Sequence, residues 1–156
     1  MSTTSFSTAE DVRVGVRLKI SALWIAMLFL FAYGDIFGFF KPGQIEEVMS
    51  GEISGIEITQ GFLLAVSVYI AIASVMIFLS LVLPAAICRW TNVVLAILYV
   101  VSIVAAAVGE TDAYYLFLSA GEIALLLLIV RYAWTWPAGG RRVSDPYRVN
   151  GPAATS

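Results

Sequence analysis

Two carboxylic acids stand inside long apolar stretches of the sequence. Asp35 and Glu122 are each surrounded by aliphatic, aromatic and small residues. An ionisable group within a membrane span costs roughly 2.5–3.5 kcal/mol on insertion scales and is by default a candidate for function. If the two carboxylates face each other in a dry site, they cannot both ionise easily. That arrangement favours a proton-coupled, transport or ligand-binding role. The simpler interpretation is a protonated Glu122 that is hydrogen-bonded between helices.

Further polar residues fall at a depth comparable to that of the two acids. Tyr115, Ser119 and Glu122 have the spacing i, i+4, i+7 and therefore form one stripe on a helix. Tyr99 and Ser102 are one helical turn apart on another segment. We therefore expect one outward-facing polar cavity. Its candidate residues are Asp35, Glu122, Ser119, Tyr99, Ser102 and Ser67.

The elements that must carry these residues are transmembrane helices. Hydrophobic residues make up 60% of the chain and charged residues 13%, which excludes a soluble globular domain and a disordered chain. Apolar runs of about 20 residues cross a bilayer as helices, and these runs do not alternate as β-barrel strands do. They cover 20–40, 61–83, 90–108 and 113–136. With short connections between the later spans, we expect an all-α integral membrane four-helix bundle with antiparallel, up-down neighbours.

Basic residues determine the expected orientation in the membrane. Of the 9 lysines and arginines, only Lys41 lies on one side of a four-span arrangement, and all the others lie on the opposite side. The positive-inside rule therefore places both termini in the cytoplasm. Amphipathic side chains near the cytoplasmic ends of the spans are expected to anchor at the interface. These anchors are Trp24, Trp90, Arg131, Trp134 and Trp136.

The segments outside the spans are two tails and one long loop. Residues 1–19 form an expected cytoplasmic N-terminal tail, and residues 137–156, rich in Gly, Pro and Arg, an expected disordered cytoplasmic tail. The 41–60 loop predicts a short helix between Pro42 and Gly51. The first span also has an alternative interpretation as a secretory signal peptide with a cleavage site at Ala32-Tyr33-Gly34. Its cleavage would leave three spans.

Composition excludes several classes of site. The chain has no histidine, which removes His-ligated haem, His-ligated zinc and His-based catalytic triads. A single cysteine, Cys88, cannot form an intrachain disulfide or a Cys-rich metal site. The net charge of −2 argues against a nucleic-acid partner. We therefore expect no metal and no cofactor. A hydrolase is disfavoured, because no nucleophile with an oriented base is evident.

Five groups of residues carry a family resemblance. They are Leu23-Trp24, Tyr33-Gly34-Asp35-Ile36-Phe37 with Lys41-Pro42-Gly43, Met76-Ile77-Phe78-Leu79-Ser80 with Leu83-Pro84, Arg89-Trp90-Thr91-Asn92, and Glu122 ahead of Arg131-Tyr132-Ala133-Trp134. Together they resemble a group of small bacterial four-span membrane proteins of unknown function and, distantly, the DoxX-like four-helix membrane proteins. The resemblance covers about residues 18–136. It implies a four-helix bundle in a bacterial inner membrane and brings no known activity.

Three functions fit these observations. The first is a non-enzymatic membrane protein: a small carrier, a proton-linked transporter component or an accessory subunit. The second is a quinone-binding or redox membrane subunit, which the DoxX-like resemblance implies. The third is a structural or interaction protein that docks through the acidic 41–60 loop. Each would contact the lipid bilayer. Because four spans are few for a transporter, the first also predicts a homo-oligomer or a membrane-protein partner.

Overall fold

The computed structural model of the chain describes residues 14–136. Residues 1–13 and 137–156, which include most of the two expected tails, lie outside the described range. The elements in chain order are α1 (Val16–Gly38), α2 (Gln44–Met49), β1 (Glu52–Ile53), β2 (Ile56–Glu57), α3 (Gln60–Val82), α4 (Ala85–Ala107) and α5 (Ala113–Thr135). The long helices α1, α3, α4 and α5 carry every candidate site residue except Trp136.

The four long helices are suited to a bilayer. Each has 23 residues and is apolar enough to cross a membrane. At 1.5 Å per residue each is about 34 Å long, which matches a hydrocarbon core about 30 Å thick. On α3 only Ala73, Met76 and Ser80 are buried, while large side chains such as Leu64 and Phe78 are exposed. A helix that is apolar all round and exposed faces lipid, so the chain is a multi-pass membrane protein.

Two helices begin earlier than the apolar runs predict. α1 begins at Val16 and already contains Arg17 and Lys19, and α4 begins at Ala85 rather than at Trp90. Pro84 occupies the N-cap position of α4, where its missing N–H removes no helical hydrogen bond. Hydropathy locates the part of a helix that crosses the hydrocarbon, whereas these helices continue beyond it into charged sequence.

The loop between α1 and α3 is folded. The predicted short helix is confirmed as α2, which begins after Gly43, a residue with φ 85°. The hairpin that follows pairs Ile53 with Ile56 in antiparallel register. Ser54 and Gly55 form its turn with φ of 50° and 73°, as a two-residue type I′ turn requires. The hairpin is absent from the sequence predictions, although a Ser-Gly pair between two isoleucines is the pattern that indicates it.

α5 packs closely against both α1 and α4. α1 packs against both α3 and α5, and α5 also packs against α4, whereas α3 and α4 have few close backbone approaches. A glycine allows α5 to approach α1, because a Cβ at Gly121 would lie 3.0 Å from Leu30 Cδ1. Gly34 and Gly38 of α1 also face α5. Small residues at such contacts let membrane helices pack closely.

A hydrogen-bonded amide lies at the centre of the core. The Nε1–H of Trp24 donates to Asn92 Oδ1 at 2.7 Å. The Ser80 hydroxyl donates to the Met76 carbonyl at 2.7 Å, and its oxygen lies 3.1 Å from the same Asn92 Oδ1. The Asn92 Nδ2 donates to the carbonyl of Cys88 at 2.8 Å. Each of these polar groups is fully buried, and buried polar groups need such partners.

Trp24 therefore differs from its predicted position at the membrane interface. Its side chain is fully buried among the four long helices, and its ring packs edge-on against Tyr99 at a centroid distance of 5.6 Å. Because α1 begins at Val16, Trp24 lies about 12 Å along the helix. The polar N–H that favours an interfacial position instead finds its partner inside the bundle.

Candidate functional site

A cavity of about 270 Å³ lies between the four long helices. Each of these helices contributes at least one side chain to its wall. Its acidic and hydroxyl-bearing lining residues are Asp35, Tyr69, Ser102, Tyr115, Ser119 and Glu122. The cavity thus brings together four of the six residues predicted from the sequence.

Glu122 is the most deeply placed ionisable group of this cavity. Its side chain is only 5% exposed and lines the cavity wall from α5. Ser119 and Tyr115 precede it by one and two turns on the same wall, as the i, i+4, i+7 spacing predicts. Within residues 14–136, the Glu122 carboxylate has no hydrogen-bond donor and no ion-pair partner. No donor from this part of the chain therefore stabilises an ionised Glu122.

Asp35 lines the same cavity from α1 but is an exposed residue. It lies one turn before Gly38, where α1 ends. Lys41 follows Asp35 closely in the sequence, yet its ammonium pairs with Asp112 and lies 4.0 Å from Glu110 Oε2. The hydrogen bond to Asp112 raises the pKa of Lys41. The only ion pairs within the described part of the chain are these two, so both cavity carboxylates are without a cation there.

A chain of hydroxyl groups joins α3 to α4 at the cavity wall. The hydroxyl oxygens of Tyr69 and Ser102 lie 2.8 Å apart. Because Ser102 donates to the Tyr99 carbonyl at 2.8 Å, Tyr69 is the donor to Ser102. The Tyr99 hydroxyl donates in turn to the Tyr69 carbonyl. Tyr99 is buried behind the wall rather than lining it. Side-chain contacts therefore close the gap that the α3 and α4 backbones leave.

Ser67, the sixth predicted residue, does not reach the cavity. It is exposed, and its hydroxyl donates to the Leu63 carbonyl of its own helix at 2.8 Å. Ser74, one heptad later, does the same to the Ile70 carbonyl at 2.9 Å. A serine that bonds the carbonyl four residues earlier needs no partner from another helix. A serine stripe therefore does not by itself indicate the inner face of a membrane helix.

Tyr69 and Phe31 belong to the site but are not among the predicted residues. Both line the cavity, and their ring centroids lie 5.8 Å apart. Tyr69 is two positions after Ser67, which turns it about 200° around the helix, to the opposite face. The usable signal was the single hydroxyl-bearing aromatic residue among aliphatic neighbours in α3.

Basic and aromatic side chains form a second cluster away from the cavity. The Arg89 guanidinium lies 4.9 Å from the Trp134 ring centroid and 6.0 Å from that of Trp90. The Arg17 guanidinium lies 5.2 Å from the ring of Trp136. These five residues are called the basic–aromatic cluster below. Trp90 and Trp134 are exposed, and so is Arg131 on α5.

A family model of unknown function, DUF6326, matches residues 13–141. The chain belongs to the DUF6326 family. The match includes all four long helices, so both cavity carboxylates lie in the part of the chain that DUF6326 describes. This agrees with the resemblance to a four-span family without a known activity. No curated protein and no solved structure matches the chain.

The cavity offers acid, hydroxyl and aromatic groups but no metal-binding set. Within residues 14–136, no group of three or more Cys, Asp or Glu side chains is placed to hold a metal ion. Cys88 carries a free thiol that is fully buried in the core. The chemistry available at the cavity is therefore proton exchange, hydrogen bonding and attraction of positive charge by the two carboxylates.

Proposed function

We propose that this protein is a small carrier, or the solute-binding component of one, that takes up a small polar solute in the cavity beside Glu122. A proton-linked transporter component is the form of this function that two intramembrane carboxylates favour. The observation that carries the proposal is the environment of Glu122: 5% exposed, facing a cavity, and without a partner within residues 14–136.

Glu122 is an acid that is buried within a membrane-spanning helix. An ionisable group within a membrane span is costly, and a purely structural role for Glu122 would offset that cost through a neighbouring helix. Residues 14–136 offer no such donor, which favours a proton, water or a solute in the cavity as the partner of Glu122. Pockets with few convergent polar groups in a largely apolar lining are the usual sites of small ligands.

The proposed orientation places the cavity on the outer side of a bacterial inner membrane. Arg17 of α1 donates to the Leu81 carbonyl of α3 at 2.6 Å, and Lys41 pairs with Asp112 between two loops. These contacts support an up-down bundle over residues 20–136 with both termini on the same side. The basic–aromatic cluster supports a cytoplasmic position for that side through the positive-inside rule and interfacial aromatic anchoring.

A quinone-binding subunit is the second candidate. It is favoured by the aromatic lining, since Phe31, Tyr69 and Tyr115 all border the cavity and aromatic side chains stack on flat rings. A quinone headgroup is neutral, so its binding would not require the charge of Glu122. The two candidates therefore differ in their dependence on that carboxylate. A homo-oligomer or a membrane-protein partner fits either candidate.

Thermal unfolding of the full chain in nanodiscs, with a panel of added solutes, tests the proposal. The panel holds small cations, small anions, neutral polar solutes and a short-chain quinone. The variants are Glu122→Gln and, as a matched control, Glu46→Gln, since Glu46 is an exposed acid of α2 outside the cavity. A ligand that binds only the folded state raises the unfolding temperature.

We expect at least one polar solute to stabilise the wild type and Glu46→Gln but not Glu122→Gln. Uptake of that solute into proteoliposomes then separates a carrier from a binding subunit. A panel in which no solute stabilises the folded wild type would overturn the proposal. Stabilisation by the quinone alone, equal in all three proteins, would replace it with the quinone-binding function.

A further inference from the structure

The balance of charge around the cavity indicates what kind of solute it accepts. Two lining residues, Asp35 and Glu122, can be negative, and no lining residue can be positive. Lys41, the basic residue nearest to Asp35 in the sequence, is paired with Asp112 and Glu110 outside the cavity. Elsewhere in residues 14–136, Arg17 and Arg89 lie against the rings of the basic–aromatic cluster. Lys19 lies 5.6 Å from the Tyr132 ring centroid, and Arg131 is exposed on α5. This part of the chain thus provides no cation for the two cavity acids.

The burial of Glu122 is the second and independent observation. Its side chain is more than nine-tenths buried, borders the cavity and has no donor among the described residues. A buried carboxylate is acceptor-only when ionised and needs N–H or O–H donors, preferably charged ones. A bare metal ion would require several oxygen ligands at once, and within residues 14–136 no group of three or more acidic or thiol side chains is placed to supply them. The ligand should therefore bring N–H groups of its own.

The remaining wall suits the carbon part of such a ligand. Phe31 and Tyr69 present aromatic rings tilted by 41° to each other, and Ile103 and Leu118 add aliphatic surface. Aromatic faces attract ammonium groups, by about 0.5–1 kcal/mol at exposed sites and more when water is excluded. The same surfaces pack against alkyl groups, so a charged head and a short apolar tail both find matching surroundings.

The cavity volume limits the size of the ligand. At about 270 Å³ it is smaller than the roughly 300–1,000 Å³ of pockets that hold drug-sized molecules. It equals the liquid volume of about nine water molecules. A short alkylamine fits this space, whereas a bulky quaternary ammonium with long arms does not.

We propose that the cavity binds a small protonated amine, whose N–H groups donate hydrogen bonds to the Glu122 carboxylate and whose alkyl part packs against Phe31 and Tyr69. Asp35 contributes attraction at the exposed border of the site. This inference rests on the proposed function, which leaves the class of solute open, and assigns that class as short primary or secondary alkylammonium ions.

Isothermal titration of the full chain in nanodiscs tests the assignment with four probes. Butylammonium carries the predicted charge and N–H groups. Butanol has a similar shape without charge, butyrate has the opposite charge, and tetrabutylammonium has the charge without N–H groups or a fitting size. We expect butylammonium to bind and the other three to bind at least about tenfold more weakly, since one charge-assisted hydrogen bond is equivalent to about a tenfold or greater change.

Substitutions locate the binding. Glu122→Gln should weaken butylammonium about 10- to 100-fold, while Glu46→Gln should leave it unchanged. Glu122→Asp keeps the charge and should retain part of the affinity, which guards against a loss caused by misfolding. Phe31→Leu should weaken butylammonium about two- to fivefold, through the lost ring face.

Two results would overturn the inference. One is binding of butanol or butyrate to the wild type as tight as that of butylammonium. The other is butylammonium binding that Glu122→Gln leaves intact. If the wild type binds no amine but another solute stabilises it through Glu122, the amine assignment fails while the proposed function stands. If nothing in either experiment binds, both fail.

Discussion

The ammonium of Lys41 pairs with the carboxylate of Asp112, and this pair joins the segment after α1 to the N-cap residue of α5. Glu110 lies close to the same ammonium, at 4.0 Å. The pairing keeps the basic residue nearest in sequence to Asp35 engaged outside the cavity. Asp35 and Glu122 are therefore not paired with a cation from residues 14–136. The proposed binding of a solute depends on their being free of such a partner.

We expect the contribution of the Lys41–Asp112 pair to stability to disappear at alkaline pH. The hydrogen bond to Asp112 raises the pKa of Lys41 above its ordinary value of 10.5. Because the pKa is higher in the folded state, the stabilisation is fully present below about pH 10 and is lost as the pH rises through the folded pKa. The effect is small, since the Lys41 side chain is 38% exposed and screened by solvent.

The measurement is the unfolding temperature of the wild type and of Lys41→Met, from neutral pH to a pH above the folded pKa of Lys41. Lys41→Met keeps an unbranched apolar side chain of similar length and cannot form the pair at any pH. The two unfolding temperatures should differ near neutral pH and converge above the folded pKa. A difference that persists unchanged at the alkaline end would show that the lysine acts through packing and not through its charge.

Trp24 and Asn92 should be energetically coupled. Their hydrogen bond of 2.7 Å is fully buried, and side-chain hydrogen bonds between membrane helices contribute about 0.6 kcal/mol on average and up to about 1.7. A double-mutant cycle with Trp24→Phe and Asn92→Ala should give a coupling of about 1 kcal/mol. Reversible unfolding in mixed detergent micelles supplies the four free energies. Strictly additive single and double variants would mean that the contact carries no stabilisation of its own.

The close approach of α1 and α5 makes a matched pair of glycine substitutions informative. A Cβ at Gly121 would lie 3.0 Å from Leu30 Cδ1, whereas one at Gly34 would lie 3.7 Å from Leu118 Cδ1. Alanine improves helix propensity by up to about 1 kcal/mol at either position. We expect Gly34→Ala to be neutral or stabilising and Gly121→Ala to be less stable than Gly34→Ala.

A second substitution isolates the cause of that difference. Gly121→Ala should destabilise the Leu30→Val variant less than it destabilises the wild type, because valine lacks the Cδ1 methyl group that the new Cβ would crowd. Unfolding free energies of the single and double variants provide the comparison. Equal stability of Gly121→Ala and Gly34→Ala would show that the contact between α1 and α5 leaves room for a methyl group at position 121.

The sequence was sufficient to predict the membrane helices and the identity of the main acids. Length and hydropathy specify a span because lipid leaves the backbone almost no alternative to a helix. An acid such as Glu122 is conspicuous because it is costly wherever it faces in the span. The helical period then groups Ser119 and Tyr115 with it on the same wall.

The rotation of each helix could not be predicted in the same way. In a membrane the outer surface of a helix is as apolar as the core, so α3 shows no apolar stripe that indicates its inner face. Ser67 donates a hydrogen bond to its own helix, and Trp24 donates one to Asn92 inside the bundle. The spacing of residues in the sequence predicts neither contact. The residue type of Tyr69 made it a candidate in the sequence, but its contacts with Ser102 and Phe31 are what place it on the cavity side of α3.

The outward-facing solute cavity is tested most directly by asking whether water reaches it from the outer side of the membrane. Ser119 lines the cavity, whereas Ser67 is exposed outside it. Ser119→Cys and Ser67→Cys are each treated in intact cells with a small, membrane-impermeant methanethiosulfonate, which reacts with thiols in water. The wild type is the blank, because its only cysteine, Cys88, is fully buried.

We predict that Ser119→Cys is modified from outside, that butylammonium slows this reaction, and that Ser67→Cys is not modified. Modification of Ser119→Cys only from the cytoplasmic side, or equal modification of both cysteines, would contradict an outward-facing solute cavity.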